Sequence, residues 1–431
     1  MTAYCNQFNS DLMAFLDASP TPFHAVKCMS EILTKSGFTE LNESDNWTLK
    51  SGDKHFISRN GSSIIAFSVG SAPLVTAGLR MTGAHTDSPC LMVKPQPEIA
   101  KKGYIQLGVE VYGGALLNPW FDRDLSIAGR LVYRNKQQQL KQTLVDFKRP
   151  VAVIPSLAIH LDRKANSDRT VNAQTDLPPL LMMSDKSESF RALLADEFLS
   201  DGEEVLDYEL CLYDTQGAAM VGITNELLAS ARLDNLLSCF VTTQALLQAN
   251  TTNTCLMVCN DHEEVGSVSA VGADGPFLDA VIARLSEADE RNSVIDKSLM
   301  ISCDNAHAVH PNYPNKHDNE HGPRLNGGPV IKVNVKQRYA TTSLTASLFR
   351  QLCADVDVPV QSFVSRSDTA CGSTVGPITA ARLGVPTLDV GIPQLAMHSC
   401  REVTGSEDAA RLTDVLIAFF NRSSSLSIEV E

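Results

Sequence analysis

Short clusters of carboxylate and imidazole side chains follow apolar runs at four points of this chain, and their placement limits the possible folds. The clusters are His85 with Asp87, Glu263 with Glu264, Asp304, and His398. In an open α/β sheet, side chains that follow parallel strands meet at the carboxyl edge of the sheet, where ligands bind. We therefore expect an α/β fold in which residues distant in sequence converge on one site.

The order of apolar segments supports this fold class. Helix-like and strand-like segments alternate from residue 233 onward, which predicts a largely parallel sheet with helices on both faces, a three-layer αβα domain. The predicted helices cover 7–36 with a break at 19–22, 235–248, 343–355, 374–383 and 406–421. The predicted strands cover 62–69, 79–84, 254–259, 330–335, 360–364 and 386–390.

Residues 94–228 have a different character. Short β-type runs such as 109–112, 128–133 and 151–154 alternate there with Gly, Pro and polar turns, and none of the four clusters falls within them. We predict an inserted β-rich domain at 94–228 that divides a catalytic domain made of 1–93 and 229–431. A chain of 431 residues is long enough for two domains.

Charge and cysteine usage exclude several classes of protein. A net charge of −14 argues against partners such as nucleic acids or anionic membrane surfaces, which attract basic patches. No apolar stretch approaches the roughly 20 residues of a membrane-spanning helix. The eleven cysteines include no CxxC pair and lie largely within apolar runs, as reduced core thiols do. We expect a cytoplasmic protein.

The clustered residue types are those of a metal centre. Two imidazoles and at least three carboxylates suit two divalent ions about 3.5–4 Å apart that share one carboxylate. Asp87 lies two residues after His85, where it can orient the imidazole. Adjacent Glu263 and Glu264 would repel each other unless a cation neutralises one, which leaves the other to act as a general base. Asp234 fits either a ligand or a carboxylate at a helix N-terminus.

Further residues near these clusters remain open to more than one interpretation. His307 and His310 follow Asp304 and fit either ligands, substrate contacts or ordinary packing. Lys332 interrupts an apolar strand, so its ammonium must either extend to solvent or meet an anion. Calcium is a poor fit, because His85 and His398 are poor calcium ligands.

At this level of detail the chain resembles the aspartyl aminopeptidases, a family of co-catalytic metallo-aminopeptidases, over essentially its whole length. The motifs that carry the resemblance are His85-Thr-Asp-Ser-Pro, Trp120-Phe-Asp-Arg-Asp-Leu, Leu233-Asp-Asn, Glu263-Glu-Val-Gly-Ser, Asp304-Asn-Ala-His-Ala-Val-His-Pro-Asn-Tyr, Gln337-Arg-Tyr-Ala, Cys371-Gly-Ser-Thr-Val-Gly-Pro and Met397-His-Ser-Cys-Arg-Glu.

The resemblance implies a site with two divalent ions per subunit, most simply Zn²⁺, although Co²⁺ or Mn²⁺ accept similar ligands. It implies that Asp234 bridges the ions and that their shells are completed by His85, Glu264, Asp304 and His398. It makes Glu263 the general base toward the metal-activated water, with Asp87 orienting His85. It also implies a cis peptide bond after Asp234.

The same resemblance implies substrates and partners. His307, Lys332 and Tyr339 match substrate-contacting positions, and Lys332 would favour peptides with N-terminal Asp or Glu. The inserted domain would dimerise, and dimers would assemble into a tetrahedral dodecamer. His160 would then contact substrate in a neighbouring subunit, unless it is a third metal-bound imidazole.

Three rival functions remain. A carboxypeptidase or N-acyl-amino-acid deacylase would use a similar metal core, but would need an Arg for the α-carboxylate of its substrate. A metal that only stabilises a scaffold would not require Glu263 beside Glu264.

Overall fold

The computed structural model describes residues 3–184 and 189–423, which form two compact units. The first contains the described residues up to Asp87, Ala218–Met397, and the described residues from Glu402 onward. The second contains the described residues of Ser88–Gly217 together with His398–Arg401. The division falls before a strand that begins at Cys90, because that strand pairs only with strands of the second unit. The predicted boundary at 93/94 would cut this strand.

The elements follow one another along the chain with these bounds. Up to Asp87 they are α1 (Ala3–Asp17), α2 (Pro22–Lys35), β1 (Thr39–Glu40), β2 (Lys54–Arg59), β3 (Ser63–Ser68), α3 (Leu74–Ala77) and β4 (Leu79–His85). The second unit has β5 (Cys90–Lys101), β6 (Tyr104–Tyr112), a 3₁₀ turn (Asn118–Trp120), β7 (Leu125–Arg134), β8 (Leu140–Asp146), β9 (Leu180–Met183), α4 (Phe190–Phe198) and β10 (Glu204–Asp214).

The remaining elements belong to the first unit. They are β11 (Ala219–Val221), β12 (Leu227–Ser230), α5 (Leu233–Leu247), β13 (Thr254–Asn260), a 3₁₀ turn (Glu263–Val265), α6 (Phe277–Leu285), α7 (Arg291–Lys297), β14 (Leu299–Cys303), β15 (Ala306–His307), a 3₁₀ turn (Pro314–Lys316), β16 (Val330–Val333), α8 (Ser343–Asp355), β17 (Gln361–Val364), α9 (Val375–Leu383), β18 (Thr387–Gly391), β19 (Pro393–Leu395), β20 (Glu402–Gly405) and α10 (Asp408–Asn421).

The main sheet of the first unit is mixed, with a parallel centre. Its strand order is β1-β2-β3-β13-β4-β14-β18-β16-β17. The four neighbours β13, β4, β14 and β18 run parallel to one another, whereas β3 and β16 run antiparallel to the strands they join. The prediction of a largely parallel sheet therefore holds at the centre and fails toward the edges. A second sheet, β11-β12-β20-β19-β15, completes this unit.

Side chains alternate between the two faces of the main sheet, as strand geometry requires. On β13, Cys255, Met257 and Cys259 pack in one apolar cluster with α1, α2, α5, α8 and α10. Leu256 and Val258 pack in another cluster with α6 and α7. Helices thus cover both faces, and the predicted three-layer αβα architecture is confirmed.

Local sequence signals explain the first helices. The interruption at residues 19–22 separates α1 from α2, as predicted. Thr21 caps α2, since its side chain accepts a hydrogen bond from the amide of His24, and Pro22 occupies the first helical turn. Among the described residues, no helix combines the length and apolar character needed to cross a membrane.

The second unit is built on a single antiparallel sheet with the order β8-β7-β10-β5-β6-β9. Its core joins the inward side chains of these strands to Trp120 and to Phe190 and Leu194 of α4. The β-type run predicted at 151–154 is not a strand, because Ala152 and Val153 form only isolated bridges to Leu125 and Leu180.

Candidate metal centre

The parallel centre of the main sheet brings the sequence clusters of the first unit to one edge. His85 ends β4 and lies opposite Asn260 at the end of β13. On the other side of β4, Gly83 lies opposite Ser302, so that β14 ends beside the same edge and is followed directly by Asp304. Residues 85–87, 261–264 and 304 therefore come together because three parallel strands end side by side.

The imidazole of His85 is the centre of this group. It is buried, with Nε2 at 3.4 Å from Oδ1 of Asp234 and 3.9 Å from both Oε2 of Glu263 and Oδ1 of Asp304. These contacts raise the pKa of His85 well above its ordinary value, although burial acts in the opposite direction. Four of the residues predicted from sequence thus lie within one small volume.

Three side chains offer ligand atoms that a single cation can reach. One atom each from His85, Asp234 and Glu264 lie within 4.8 Å of one another. One imidazole nitrogen and two carboxylate oxygens form a donor set of the kind that holds zinc. On this chemistry, the residues present fit a divalent metal ion.

Asp87 fixes both the histidine and the glutamate pair. Its Oδ1 lies 3.3 Å from Nδ1 of His85. Its two carboxylate oxygens also accept hydrogen bonds from the backbone amides of Glu263 and Glu264, each at 3.1 Å. One buried carboxylate therefore sets the relative position of the strand end at His85 and the 3₁₀ turn at Glu263–Val265.

Ionisation of Glu263 and Glu264 is unfavourable in the protein without a bound cation. Burial, together with Asp304, Asp87 and Asp234, raises the pKa of Glu263 to about 8 against the opposing effect of His85. Burial and the charge of Asp234 raise the pKa of Glu264 to about 10. A bound cation would reverse both shifts, because it favours the ionised carboxylates.

Asp304 is the exception, because it has a cation of its own. Nζ of Lys332 lies 3.3 Å from Oδ2 of Asp304 and donates a hydrogen bond to the carbonyl of Asn305 at 3.0 Å. Burial would raise the pKa of Asp304, but Lys332 and His85 hold it well below its ordinary value. Asp304 is therefore ionised in the folded protein.

Asp234 is held by a network that sequence reasoning did not assign. Its backbone amide donates to Oε2 of Glu402 at 2.9 Å, and Nε2 of Gln394 lies 3.4 Å from the other oxygen of Glu402. Asn305 joins Gln394 to the carbonyl of Leu233. The Asp234–Asn235 peptide bond is cis, as the resemblance implied.

A cavity of about 380 Å³ lies in the first unit beside Tyr339. Two of the predicted substrate contacts, His307 and Tyr339, line it, and Lys316 and Arg366 also contribute to its wall. Tyr339 also contacts Lys332, whose Nζ lies 5.1 Å from the ring centroid. Lys332 is buried and does not line the cavity.

The two remaining predicted residues belong to the second unit. Nδ1 of His398 lies 3.1 Å from the carbonyl of Gly114, and metal-bound histidines are commonly anchored in this way. His160 lies exposed in a turn region of the same unit. The roles of His398 and His160 stay predictions.

A second functional candidate was missed although its sequence carried a signal. Asp389 interrupts the apolar strand β18 and is fully buried. A carboxylate within an apolar run is costly to bury unless it is hydrogen-bonded. Its presence in this strand therefore indicates that it has hydrogen-bond donors around it.

Comparison with protein families gives one match over nearly the whole chain. Residues 15–420 match the model of peptidase family M18, described as aminopeptidase I zinc metalloprotease. A probable M18 family aminopeptidase 2 from Stutzerimonas stutzeri is 56% identical over 423 residues, which cover 96% of this chain and 98% of that relative. A relative of the same description from Pseudomonas fluorescens is also 56% identical, over 96% of this chain and 97% of its own length.

Solved structures give the same result. A cryo-EM structure of a complex of Ape4 and Nbr1 matches with a TM-score of 0.94 and 40% identity, over 97% of this chain and 86% of the matched chain. The mApe1 dodecamer of S. cerevisiae matches with a TM-score of 0.84 and 29% identity, over 97% of both chains. A Thermotoga maritima M18 aminopeptidase at 22% identity shares the fold, with a TM-score of 0.86.

Proposed function

This chain belongs to peptidase family M18 and is a metallo-aminopeptidase, and from that premise we propose that it removes acidic residues from the N-termini of peptides. Water attacks the scissile carbonyl, and Glu263 acts as the general base. The observation that carries the proposal is the cluster of His85, Asp234 and Glu264, with Glu263 and Asp304 beside it.

We assign two divalent ions, most simply Zn²⁺, to this cluster. Asp234 would bridge the two ions. His85, Glu264, Asp304 and His398 would complete the coordination of one ion or the other. When bound, such ions polarise a carbonyl and lower the pKa of water toward ~7. The raised pKa values of Glu263 and Glu264 support the presence of cations, because a bound cation would favour the ionised form of both carboxylates.

Glu263 performs the proton transfers in this proposal. Its carboxylate takes a proton from the attacking water and returns it to the nitrogen of the departing peptide. The support is geometric, since Asp87 holds the amide of Glu263 and places its carboxylate within 4 Å of His85. The adjacent Glu264 remains available as a ligand.

The cavity beside Tyr339 would receive the side chain of the first residue. Its described lining residues include Lys316, Arg366 and three histidines, and no carboxylate side chain is among them. Arg366 is already paired with Asp368. Lys332, in contact with Tyr339, adds positive charge close to the cavity. An acidic first side chain can interact favourably with these cations and Leu or Ala cannot, so this surrounding favours Asp or Glu.

Release of the first residue from matched peptides tests this proposal. Peptides that begin with Asp, Glu, Leu or Ala, and one blocked at its N-terminus, are incubated with and without chelator. We expect chelator-sensitive release of Asp and Glu well ahead of Leu and Ala, and no cleavage of the blocked peptide. Cleavage of the blocked peptide would favour a carboxypeptidase or a deacylase, and preference for Leu would remove the acidic specificity.

We also propose that the second unit mediates dimerisation and that dimers form a tetrahedral dodecamer. One of the matched solved structures is described as a dodecamer. The loop around His160 exposes three large apolar side chains, Leu157, Ile159 and Leu161, as a surface covered by a partner would. His160 would then contact the substrate of a neighbouring subunit. None of the eleven cysteines, all within the described residues, forms a disulfide, which supports a cytoplasmic location.

A further inference from the structure

Asp389 lies on β18 between the two loops that border the cavity beside Tyr339. Its side chain is fully buried, and it is not among the residues assigned to the metal ions. Burial raises the pKa of Asp389, whereas Lys332, Thr374 and the amide of Ala340 act in the opposite direction. Burying a carboxylate costs free energy unless hydrogen bonds compensate for the lost contact with water.

Each carboxylate oxygen of Asp389 holds a different loop. Oδ2 accepts a hydrogen bond from the amide of Ala340 at 2.6 Å, one residue after Tyr339. Oδ1 accepts the hydroxyl of Thr374 at 2.7 Å, three residues after Cys371. Tyr339 and Cys371 both line the cavity, so one carboxylate fixes both of these walls.

The two walls also meet each other. The Tyr339 hydroxyl contacts the Cys371 side chain, and burial together with this contact raises the pKa of Tyr339. The hydroxyl of Thr341 accepts a hydrogen bond from the backbone amide of Asp389 at 3.0 Å. Ala340 and Thr341, two adjacent residues of the Tyr339 loop, are therefore both hydrogen-bonded to Asp389 of β18.

Gly376 allows the second wall to approach this closely. A Cβ atom at Gly376 would lie 2.3 Å from Oδ1 and 2.4 Å from Oδ2 of Asp389, far inside contact distance. Thr374 precedes α9, so the N-terminal end of that helix lies against the carboxylate. The positive end of the helix dipole favours a negative charge there.

We propose that Asp389 is a positioning residue that holds the Tyr339 and Cys371 walls of the cavity at the separation the substrate's first residue requires. This inference rests on the proposed aminopeptidase function. Asp389 does not touch the substrate; it acts through Tyr339 and through the segment from Cys371 to Thr374.

Three variants of the full-length protein, loaded with zinc, test the role. Thr374→Val removes the hydroxyl that binds Oδ1, Thr374→Ser keeps it, and Thr387→Val makes the same chemical change two residues before Asp389. Thr387 is buried, and its hydroxyl donates a hydrogen bond to the carbonyl of Val385 at 2.9 Å. Steady-state kinetics on an aspartyl substrate, zinc content and Tm are measured for each.

We expect Thr374→Val to raise KM roughly tenfold, the factor for about 1.4 kcal/mol, with kcat changed less than about twofold. Thr374→Ser should restore KM, and Thr387→Val should lower Tm without changing KM. If Thr374→Val and Thr387→Val lower Tm equally and leave KM unchanged, Asp389 is only structural and the proposal is wrong.

A change at Asp389 itself tests the proposal if Thr374→Val does not fold. Asp389→Asn keeps one acceptor oxygen and is expected to raise KM without loss of zinc. Unchanged KM in folded Asp389→Asn would overturn the proposal. If the unaltered protein releases no N-terminal residue, the proposed aminopeptidase function is wrong. If the unaltered protein is active but the variants keep its KM, only the role of Asp389 is wrong.

Discussion

Nζ of Lys332 lies 3.3 Å from Oδ2 of Asp304, and both side chains are buried. The lysine expected to recognise acidic substrates thus also balances the charge of a predicted metal ligand. Its contact toward the cavity is the ring of Tyr339. Changes at Lys332 should therefore affect both specificity and the metal centre, and the two effects need separate measurements.

Lys332→Met is expected to narrow the preference for aspartyl over leucyl substrates by about tenfold or more, because an acidic side chain loses its counter-charge. It should also weaken metal retention, since Asp304 loses the cation that keeps it ionised. Ratios of kcat/KM for the two substrates, and metal analysis after dialysis, check both effects.

Lys316→Met provides the matched control for this prediction. Lys316 is exposed at the wall of the same cavity, so the same chemical change there should leave metal content intact. If Lys316→Met abolishes the acidic preference and Lys332→Met preserves it, recognition of the first residue belongs to Lys316.

Glu263→Gln should retain both ions and lose catalysis by about 10²-fold or more, the usual size of a general-base contribution. Asp234→Ala and Glu264→Gln should lose metal as well, because their oxygens belong to the cluster that a cation can reach. Metal analysis and turnover of the purified variants distinguish these classes. Near-normal turnover of Glu263→Gln would show that another group acts as the base.

Asp87→Asn should weaken metal binding by roughly 10–100-fold, as loss of an outer-shell partner does. The new amide group would direct N–H groups toward the backbone N–H of Glu263 or Glu264, in place of an accepting oxygen. Chelator titration followed by residual activity measures the change. Metal affinity equal to that of the unaltered protein would mean that Asp87 does not position His85.

His160 should act in a neighbouring subunit. Oligomers reassembled from Glu263→Gln and His160→Ala subunits, each inactive alone, are expected to recover part of the activity, because some sites would combine an intact Glu263 with an intact His160. Mass measurement must first establish that the oligomers are mixed. Mixed oligomers without activity would place His160 in the site of its own subunit.

The stability of the protein should depend on pH through Asp408. Burial raises the pKa of Asp408 to about 7, against the hydrogen bonds from Gly328 and Asn326 and the charge of Arg411. Because this value exceeds the unfolded value of 3.8, the folded state binds the proton more tightly. Its contribution is fully present below about pH 4 and is lost as pH rises to 7, on the order of 4 kcal/mol at most.

Tm measured between pH 4 and pH 8 in chelator checks this dependence. Asp408→Asn should lose less stability over that range than the unaltered protein. Glu407→Gln, at the neighbouring position, should keep most of the dependence. An identical pH profile for Asp408→Asn and the unaltered protein would contradict the assignment.

Sequence periodicity predicted the elements that approach the site. The helix at 343–355 and the strand ending on His85 match the structure, because an apolar face repeats with a fixed period in each. The convergence of His85, Glu263 and Asp304 followed from parallel strands alone. The direction of the edge strands could not be predicted in this way, since nothing in Val330–Val333 indicates that β16 runs antiparallel to β18.

Long-range polar partners were the other gap. No spacing rule relates Asp234 to Glu402, or Asp389 to Ala340 and Thr374, because these contacts depend on how separate loops close over the strand ends. The burial of Lys332 against Asp304 is of the same kind. The sequence indicated that Lys332 either extends to solvent or meets an anion, and in the structure it is buried against Asp304.

The position of β4 between β13 and β14 has a consequence for biosynthesis. Both partners of β4 are translated long after it, and Asp304 follows His85 by 219 positions. At roughly 5–20 residues per second, the strand that carries the first proposed metal ligand waits on the order of 10–40 s for its neighbours. We therefore expect that the proposed metal site is completed, and metal bound, only after Asp304 has been synthesised.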